Sequence, residues 1–240
     1  MVAVEVAAGT HVGVVREQNQ DCLHIDGWST SASGARMTRS LREPSIVAVI
    51  DGMGGHPGGD LASWMVSKLL TDLRIATFPR PVDLNAGIQS VSDRVREAGS
   101  ATEGYAHMGA TIAGFVVGKD ALMLFNVGDC SILRIRDGYI GQLAHIDRPG
   151  GSMSNVVNQC LGGSPQAVSV DSHATTLEIL RPERLILCSD GLTDAIPDAA
   201  LAQLCCDLTE PAALVGELIN TAIRAGAPDN VSLIIADITP

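Results

Sequence analysis

The chain has 240 residues, 46% of them hydrophobic, and a formal net charge of -11 from 27 acidic and 16 basic residues. This length and composition predict a globular protein with a substantial core, organised as a single domain over residues 1–240. The acidic balance argues against a nucleic-acid partner, because such a surface needs basic side chains to neutralise phosphates. No stretch approaches 18 consecutive apolar residues, so neither a membrane-spanning helix nor a membrane partner is expected.

The N-terminal segment has no basic start and carries Glu5 within an apolar stretch, which argues against a signal peptide. The six cysteines form no CxxC pair. We therefore expect them to be reduced thiols in the core of a cytoplasmic protein. A zinc site is correspondingly not expected.

The first half of the chain predicts short strands at 12–15 and 23–25, an exposed loop at 29–42 and a buried strand at 45–50. Two amphipathic helices follow, the first beginning at Asp60 as its cap and the second spanning about 82–98. The residues expected to face a sheet recur every three or four positions: Leu61, Trp64, Met65, Lys68, Leu69 and Leu73 in the first helix, and Ile88, Val91 and Val95 in the second.

The second half predicts successive hairpins, and therefore an antiparallel sheet, with strands at 111–117, 122–127, 132–136 and 139–143. Residues 144–170 follow no period and predict a long irregular segment. Further strands are predicted at 175–180 and 185–188, then helices at 199–208 and 212–224, and a final strand at 231–238. Because strands and helices are segregated, the pattern favours an α+β layered sandwich over a doubly wound parallel sheet.

Four aspartates lie at the ends of predicted strands: Asp51, Asp129, Asp190 and Asp229. Each alone suits a turn or a helix cap. Together they would repel, by about 3 kcal/mol for two carboxylates about 5 Å apart at an effective dielectric of about 20. Such a cluster must take up protons or bind cations. Carboxylates without a His or Cys cluster favour Mg²⁺ or Mn²⁺, and a pair of these ions suits hydrolysis of a phosphate ester.

Two further side chains fit that chemistry. Arg16 could hold a phosphate through its two-pronged guanidinium, although it could instead pair with Glu17 or Asp21. His56 could protonate a departing alkoxide, although it could instead contact a carboxylate or bind metal itself. The other histidines have no such context and are expected to be surface or structural residues: His11, His24, His107, His145 and His173.

Six short motifs occur in an order that resembles the metal-dependent protein phosphatases of type 2C, and the compact bacterial catalytic domains in particular. They begin at Arg16 (REQNQD), Asp51 (DGMGGH), Gly109 (GAT), Asn126 (NVGD), Ser189 (SDGLTD) and Asp229 (DNVS). The resemblance covers nearly the whole chain. It implies a four-layer α-β-β-α sandwich, with two central antiparallel sheets flanked by helices and a flap at about 144–170.

The resemblance also implies roles for individual residues. Two core Mn²⁺ or Mg²⁺ ions would be bridged by Asp51, with the Gly52 carbonyl on the second ion, Asp190 and Asp229 on the first, and Asp21 beside the second. A third ion would bind Asp129, Asp194 and Asp190. Arg16 would bind the substrate phosphate and His56 would be the general acid.

The implied reaction is hydrolysis of phosphoserine and phosphothreonine monoesters by a metal-bridging water. Phosphorylated proteins, including Ser/Thr kinases and their substrates, would be the partners of a monomeric enzyme. There are departures from the family pattern: Gln20 replaces a frequent glutamate, Cys130 replaces a serine, and the Asp-His pair that usually begins the flap is absent. Two competing hypotheses are a catalytically silent adaptor that binds phosphoproteins and a two-metal nuclease, which the acidic balance disfavours.

Overall fold

The computed structural model describes residues 1–53, 58–73, 80–149 and 156–240. Its thirteen strands are β1 (Ala3–His11), β2 (Asp21–Ile25), β3 (Trp28–Thr30), β4 (Arg36–Leu41), β5 (Ser45–Gly52), β6 (Gly109–Val117), β7 (Ala121–Val127), β8 (Ser131–Arg136), β9 (Tyr139–Gln142), β10 (Leu161–Gly162), β11 (Thr175–Glu178), β12 (Glu183–Cys188) and β13 (Val231–Thr239). The five helices within these ranges are α1 (Gly59–Asp72), α2 (Pro81–Ala101), α3 (Asp190–Ala195), α4 (Asp198–Asp207) and α5 (Pro211–Arg224).

The strands form two sheets. The first has the order β4-β1-β13-β12-β8-β9, and the second has the order β11-β7-β6-β5-β2-β3 with β10 paired to β6. Neighbouring strands run antiparallel. The predicted antiparallel architecture is therefore confirmed.

Three apolar layers hold the sandwich together. Side chains such as Val6, Phe115 and Ile234 fill the space between the two sheets. Helices α1 and α2 cover the outer face of the second sheet, and α3 to α5 cover the outer face of the first. The four-layer α-β-β-α sandwich expected from the sequence is confirmed.

Strand β5 shows why one continuous apolar run can belong to an antiparallel sheet. Val47 and Val49 face the other sheet, whereas Ile46, Ala48 and Ile50 face the helices. Successive side chains of a strand point to opposite faces, and here both faces are covered. Asp51 therefore lies near the C-terminal end of a buried strand.

The structure corrects the prediction for the N-terminal region. Residues 12–15 are not a strand, and the long first strand is β1, which pairs with β13 and β4. The predicted loop at 29–42 contains β3 and β4. Strand β4 alternates exposed and half-buried residues at the edge of its sheet, so its polar composition looks like that of a loop.

The predicted inner face of helix α1 is only partly correct. Leu69 is buried, and Met65 and Leu73 pack against the core, as predicted. Leu61, Trp64 and Lys68 are exposed, and the face toward the sheet is completed by Ala62, Val66 and Leu70. The buried stripe contains small residues that let the helix approach the sheet closely. Gly58, with a φ of 90°, is the N-cap, and Asp60 lies in the first turn instead. In α2, the predicted inner residues Ile88, Val91 and Val95 are buried.

Two further predictions need correction. All six cysteines are free, but Cys206 is exposed and Cys160 is only partly buried, so they do not all belong to the core. The irregular segment at 144–170 contains the short strand β10, and α3 was not predicted. Across the described ranges, no helix combines the length and apolar character needed to cross a bilayer.

Candidate active site

Carboxylates from both sheets converge on one cleft of about 360 Å³. Asp51 ends β5, Asp129 follows β7, Asp190 follows β12, and Asp229 precedes β13. All four line the cleft together with Arg16. The convergence arises because antiparallel pairing brings these strand ends to one edge of the sandwich. We call this region the acidic cleft.

Asp51 lines the bottom of the acidic cleft, and the buried Asp21 lies opposite it in the β2–β5 pair. We call these two residues the floor. Asp21 is fully buried, and its Oδ2 accepts a hydrogen bond of 2.8 Å from Ser189 Oγ. Its Oδ1 has no hydrogen-bond partner among the described residues. Burial, the largest cause, raises the pKa of Asp21 to about 6.

Burial and neighbouring negative charges also raise the pKa of Asp51. Removal from water raises the pKa of Asp51 well above its usual value, and the negative charges of Asp21 and Asp190 raise it further. A carboxylate pair of this kind favours an added proton or an added cation.

A chain of buried hydroxyls orients the floor. The Ser232 backbone N–H donates to Ser189 Oγ over 3.0 Å, and the hydroxyls of Ser232 and Thr10 lie 2.7 Å apart. Ser189 is thereby fixed with its own hydroxyl donating to Asp21. These three residues explain how a fully buried carboxylate is positioned beside Asp51.

The rim of the acidic cleft consists of Asp129, Asp190, Asp194 and Asp229. Arg148 binds three of these carboxylates. Its Nε donates to Asp129 Oδ2 over 2.9 Å, its Nη2 donates to Asp190 Oδ2 over 2.6 Å, and its Nη1 lies 3.8 Å from Asp194 Oδ1.

The role of Arg148 at the rim was not predicted from the sequence. A usable signal was present, because Arg148 is the sole Lys or Arg within 144–170 and the four clustered aspartates required a cation. The guanidinium compensates Asp190 only in part. Burial and the neighbouring Asp129 and Asp194 raise the pKa of Asp190 to about 7, against the lowering effect of Arg148.

Arg16 binds the fourth rim carboxylate. Its Nε and Nη2 donate to the two oxygens of Asp229 over 3.0 and 2.7 Å. The pairing with Glu17 or Asp21 that the sequence left open is not found in the described structure. The hydrogen bonds to Asp229 and its negative charge raise the pKa of Arg16.

Asn230 fastens the loop that carries Arg16. Its Nδ2 donates to the carbonyls of Val12 and Gln18 over 2.9 and 3.0 Å, and its Oδ1 accepts from the Gln20 backbone N–H over 2.8 Å. The residue after Asp229 therefore holds the β1–β2 loop against the start of β13. Asn230 is a positioning residue in the DNVS motif, and this role was not predicted from the sequence.

Gly52 lies where no larger residue fits. A Cβ atom at this position would lie 2.1 Å from the Gly59 carbonyl oxygen and 2.7 Å from the Gln20 carbonyl oxygen. The close backbone approach accounts for the glycine at the end of β5. His56 lies outside the described residues, as does the rest of 54–57.

The chemistry of the acidic cleft fits divalent metal ions. Its donors are carboxylate oxygens, which suit Mg²⁺ and Mn²⁺. Two buried oxygens, Asp21 Oδ1 and Asp190 Oδ1, have no hydrogen-bond partner in the described part of the chain. Unpartnered buried oxygens are costly unless a cation binds them.

Residues 15–223 match the family model described as Protein phosphatase 2C. The chain belongs to this family. The resemblance carried by the sequence motifs is thus confirmed, and the match includes every proposed cleft residue except Asp229.

Related proteins agree with this assignment. The chain is 27% identical to the serine/threonine protein phosphatase PstP of Mycobacterium tuberculosis (strain ATCC 25618 / H37Rv), over 99% of this chain and 45% of PstP. It therefore spans about half the length of that relative. It is 24% identical to the serine/threonine phosphatase stp of Listeria innocua, over 95% of this chain and 93% of that protein.

Solved structures share the fold. The crystal structure of the PstP catalytic domain in complex with two manganese ions superposes with a TM-score of 0.79 and 25% sequence identity, and each chain is covered fully. The layered sandwich is therefore the architecture of a protein phosphatase 2C catalytic domain.

Proposed function

We propose that this chain is a metal-dependent protein serine/threonine phosphatase that hydrolyses phosphoserine and phosphothreonine monoesters. The observation that carries the proposal is the set of converging carboxylates with two buried, unpartnered oxygens, Asp21 Oδ1 and Asp190 Oδ1. The names of the relatives and the two manganese ions of the PstP catalytic domain support it.

The proposed metal ligands are those that the family resemblance implies. We assign the two core Mn²⁺ or Mg²⁺ ions to Asp51, the Gly52 carbonyl, Asp190 and Asp229, with Asp21 beside the second ion. A third ion is assigned to Asp129, Asp194 and Asp190. When bound, such ions lower the pKa of a coordinated water and neutralise the oxygens of a phosphoryl group.

Arg16 is assigned to the substrate phosphate. Its guanidinium holds both oxygens of Asp229 in the described structure, and the same fork matches two oxygens of a phosphate dianion. Arg16 cannot serve both partners in this way at once. Binding of a phosphate by this fork would therefore require Arg16 to release Asp229, whose oxygens would then be available to a metal ion.

His56 is retained as the general acid for the departing serine or threonine alkoxide. A group that titrates near neutrality suits this step, because an alkoxide is a poor leaving group. The proposal for His56 rests on the sequence motif alone.

The domain organisation, partners and location of the enzyme are also proposals. We propose that residues 1–240 form one catalytic domain with a flap at about 144–170. Phosphorylated proteins, including Ser/Thr kinases and their substrates, are the proposed partners of a monomeric cytoplasmic enzyme.

Hydrolysis of a phosphothreonine peptide with added Mn²⁺, and its arrest by EDTA, tests the proposal. Asp229→Asn should abolish turnover. The matched control is Asp237→Asn in β13, the strand that follows Asp229, since Asp237 also pairs with both prongs of an arginine, Arg184, but outside the cleft. The control should retain turnover.

Two outcomes would overturn the proposal. Binding of the phosphopeptide without turnover at saturating Mn²⁺ would favour an adaptor. Metal-dependent cleavage of DNA or RNA without release of phosphate from the peptide would favour a nuclease.

A further inference from the structure

A second cluster of metal-binding side chains lies at the start of the flap. His145, Asp147 and His173 each place a ligand atom within 4.8 Å of the other two. His173 Nε2 lies 2.9 Å from Asp147 Oδ1, and His145 Nε2 lies 3.8 Å from the same oxygen. We call this group the His-Asp-His cluster. None of its members belongs to the proposed ligands of the acidic cleft.

Asp147 is held in the orientation of a ligand that binds through one oxygen. Its Oδ2 accepts from the Gly128 backbone N–H over 2.9 Å and from Gln159 Nε2 over 2.7 Å. Its Oδ1 points to the two imidazoles. The side chain is only 7% exposed, so its position is determined by these contacts.

His173 is fixed from the opposite side. Its backbone N–H donates to Asp171 Oδ1 over 2.9 Å, and its Nδ1 lies 3.8 Å from Asp171 Oδ2. A carboxylate beside the second ring nitrogen is the usual arrangement around metal-bound histidines. His173 also has a φ of 44°, a left-handed conformation that is uncommon for residues other than glycine and concentrates at functional sites.

Gln159 connects the two halves of the cluster. Its Oε1 accepts from the Asp171 backbone N–H over 3.0 Å, and its Nε2 donates to Asp147 and to the Asp171 carbonyl. Both amide hydrogens are thereby used. Gln159 Nε2 also lies 2.9 Å from His173 Nε2. An ion bound to that nitrogen would take the place of this contact, while Gln159 still orients Asp147 and the Asp171 segment.

His145 gives access from solvent. Its side chain is 67% exposed, whereas its backbone N–H donates to Asn126 Oδ1 over 3.1 Å. The backbone is anchored and the imidazole faces outward. An ion can enter from this side without rearrangement of the sheet.

We propose that His145, Asp147 and His173 bind a divalent transition-metal ion of the zinc class. Imidazole nitrogens with one carboxylate oxygen suit zinc, and three protein ligands leave a fourth position for water. Bonds of about 2.1 Å in a tetrahedron place ligand atoms about 3.4 Å apart. The two measured separations, 2.9 and 3.8 Å, lie on either side of that value.

Binding exchanges a proton for the metal. In the tautomer that carries the proton on Nε2, His173 donates to Asp147 Oδ1. The ion takes the place of that proton, which passes to solvent. The proposal differs from the expectation drawn from the cysteines, because the two histidines are 28 positions apart and form no sequence motif.

The location gives the site a structural consequence. The Asp147 backbone N–H donates to the Gly128 carbonyl over 3.0 Å, and Arg148 follows Asp147 directly. An ion at the His-Asp-His cluster therefore immobilises the flap root beside the arginine that binds Asp129 and Asp190. This constraint is separate from the metal ions of the acidic cleft.

Zinc binding to the full chain tests the proposal. Equilibrium dialysis followed by elemental analysis should show one Zn²⁺ more per wild-type chain than per His145→Ala or His173→Asn chain, at a concentration where the site is saturated. The comparison is a difference, because cleft carboxylates also bind Zn²⁺. His107→Ala, which removes an exposed histidine outside the cluster, should bind as much as the wild type.

A second measurement uses the wild-type protein alone. In ¹H–¹⁵N spectra of the imidazoles, Zn²⁺ should shift the Nε2 resonances of His145 and His173, whereas Mg²⁺ should not. Loss of a direct ligand in His145→Ala should lower the affinity by more than the roughly 10–100-fold typical of residues that only orient a ligand. Because His145 is exposed, the melting temperature of that variant in EDTA should match that of the wild type.

The proposal would be overturned if the wild type and His145→Ala bound the same number of Zn²⁺ ions. It would also be overturned if the imidazole chemical shifts of His145 and His173 did not change on addition of Zn²⁺. Neither measurement uses phosphate release. Failure of the zinc site is therefore distinguishable from failure of the proposed phosphatase activity.

Discussion

The floor and the rim of the acidic cleft compensate their negative charge differently. At the floor, Asp21 and Asp51 face each other, and burial raises the pKa of both. At the rim, Arg148 and Arg16 supply the positive charge, with Arg148 on Asp129 and Asp190 and Arg16 on Asp229. Compensation of the negative charge at the floor therefore depends on protons or on an added cation. The rim already contains two cationic side chains, Arg148 and Arg16.

This difference distinguishes two kinds of competition that a metal ion would meet. An ion at the floor would replace protons on the carboxylates of Asp21 and Asp51. An ion at the rim would compete with guanidinium groups that already make charge-assisted hydrogen bonds. Metal affinity should thus be limited at the floor by pH and at the rim by the arginines.

The largest effect is expected at the floor. Asp51→Asn should lower kcat/KM by about 10³-fold, because the loss of a shared metal ligand removes several kcal/mol of transition-state stabilisation. The assay is phosphopeptide hydrolysis at saturating Mn²⁺. Asp120→Asn, at a side chain that is 75% exposed and outside the cleft, should match the wild type. Wild-type activity in Asp51→Asn would show that the floor does not hold the catalytic ions.

At the rim, Arg16→Ala should lower kcat/KM by about 100-fold. Loss of a charge-assisted bidentate contact with phosphate removes about 2.7 kcal/mol. Steady-state kinetics at saturating Mn²⁺ measures the effect, and Arg184→Ala removes an equally bidentate arginine elsewhere. If both variants lose the same activity, Arg16 acts through stability and not through phosphate.

Arg148→Ala should raise the affinity for Mn²⁺ by about tenfold, since removal of a competing cation is worth about 1.4 kcal/mol per tenfold change. Calorimetric titration measures this directly. The control is Arg134→Ala, which should leave the affinity for Mn²⁺ unchanged. The Arg134 side chain is 23% exposed, against 22% for Arg148, and it binds Glu183 through two hydrogen bonds. Weaker Mn²⁺ binding in Arg148→Ala would instead mean that Arg148 positions the ligands.

The smallest effect is a pH dependence of the metal-free protein. In EDTA, the raised pKa values of Asp21 (about 6) and Asp190 (about 7) mean that the folded chain binds more protons than the unfolded chain above about pH 4. The contribution of these groups to stability is complete below that pH and is lost as pH rises through 6 and 7.

Thermal unfolding at pH 5 and pH 8 tests this dependence. The melting temperature should fall by about 2–4 °C for each kcal/mol lost. Saturating Mn²⁺ should reduce the slope, as should Asp21→Asn, which removes the charge. A metal-free melting temperature that rises over this window would contradict the raised pKa values of Asp21 and Asp190.

Local patterns predicted the parts of the molecule that local chemistry determines. Strand β5 was identified from its continuous apolar run, and helix α2 because its apolar residues recur every three or four positions. The four aspartates that line the acidic cleft were proposed from the strands whose ends they occupy. Strand β4 was missed because an edge strand needs few apolar residues, and its status depends on pairing with β1.

The partners of the aspartates depended on the tertiary structure. Arg148 lies 42 positions before Asp190, and Arg16 lies 213 positions before Asp229. Long flexible side chains can reach many carboxylates, so spacing along the chain does not select one. The same reasoning applies to His145 and His173, which meet only because Gln159 and Gly128 orient Asp147 between them.

The amino-acid sequence alone therefore determined the family, the layered α+β architecture and the identity of the converging carboxylates, because these depend on hydrophobic periodicity and on motifs at strand ends. Only the tertiary structure decided which cations face those carboxylates and which histidines come together. These contacts are set by the folding of loops over the sandwich, which no local pattern encodes.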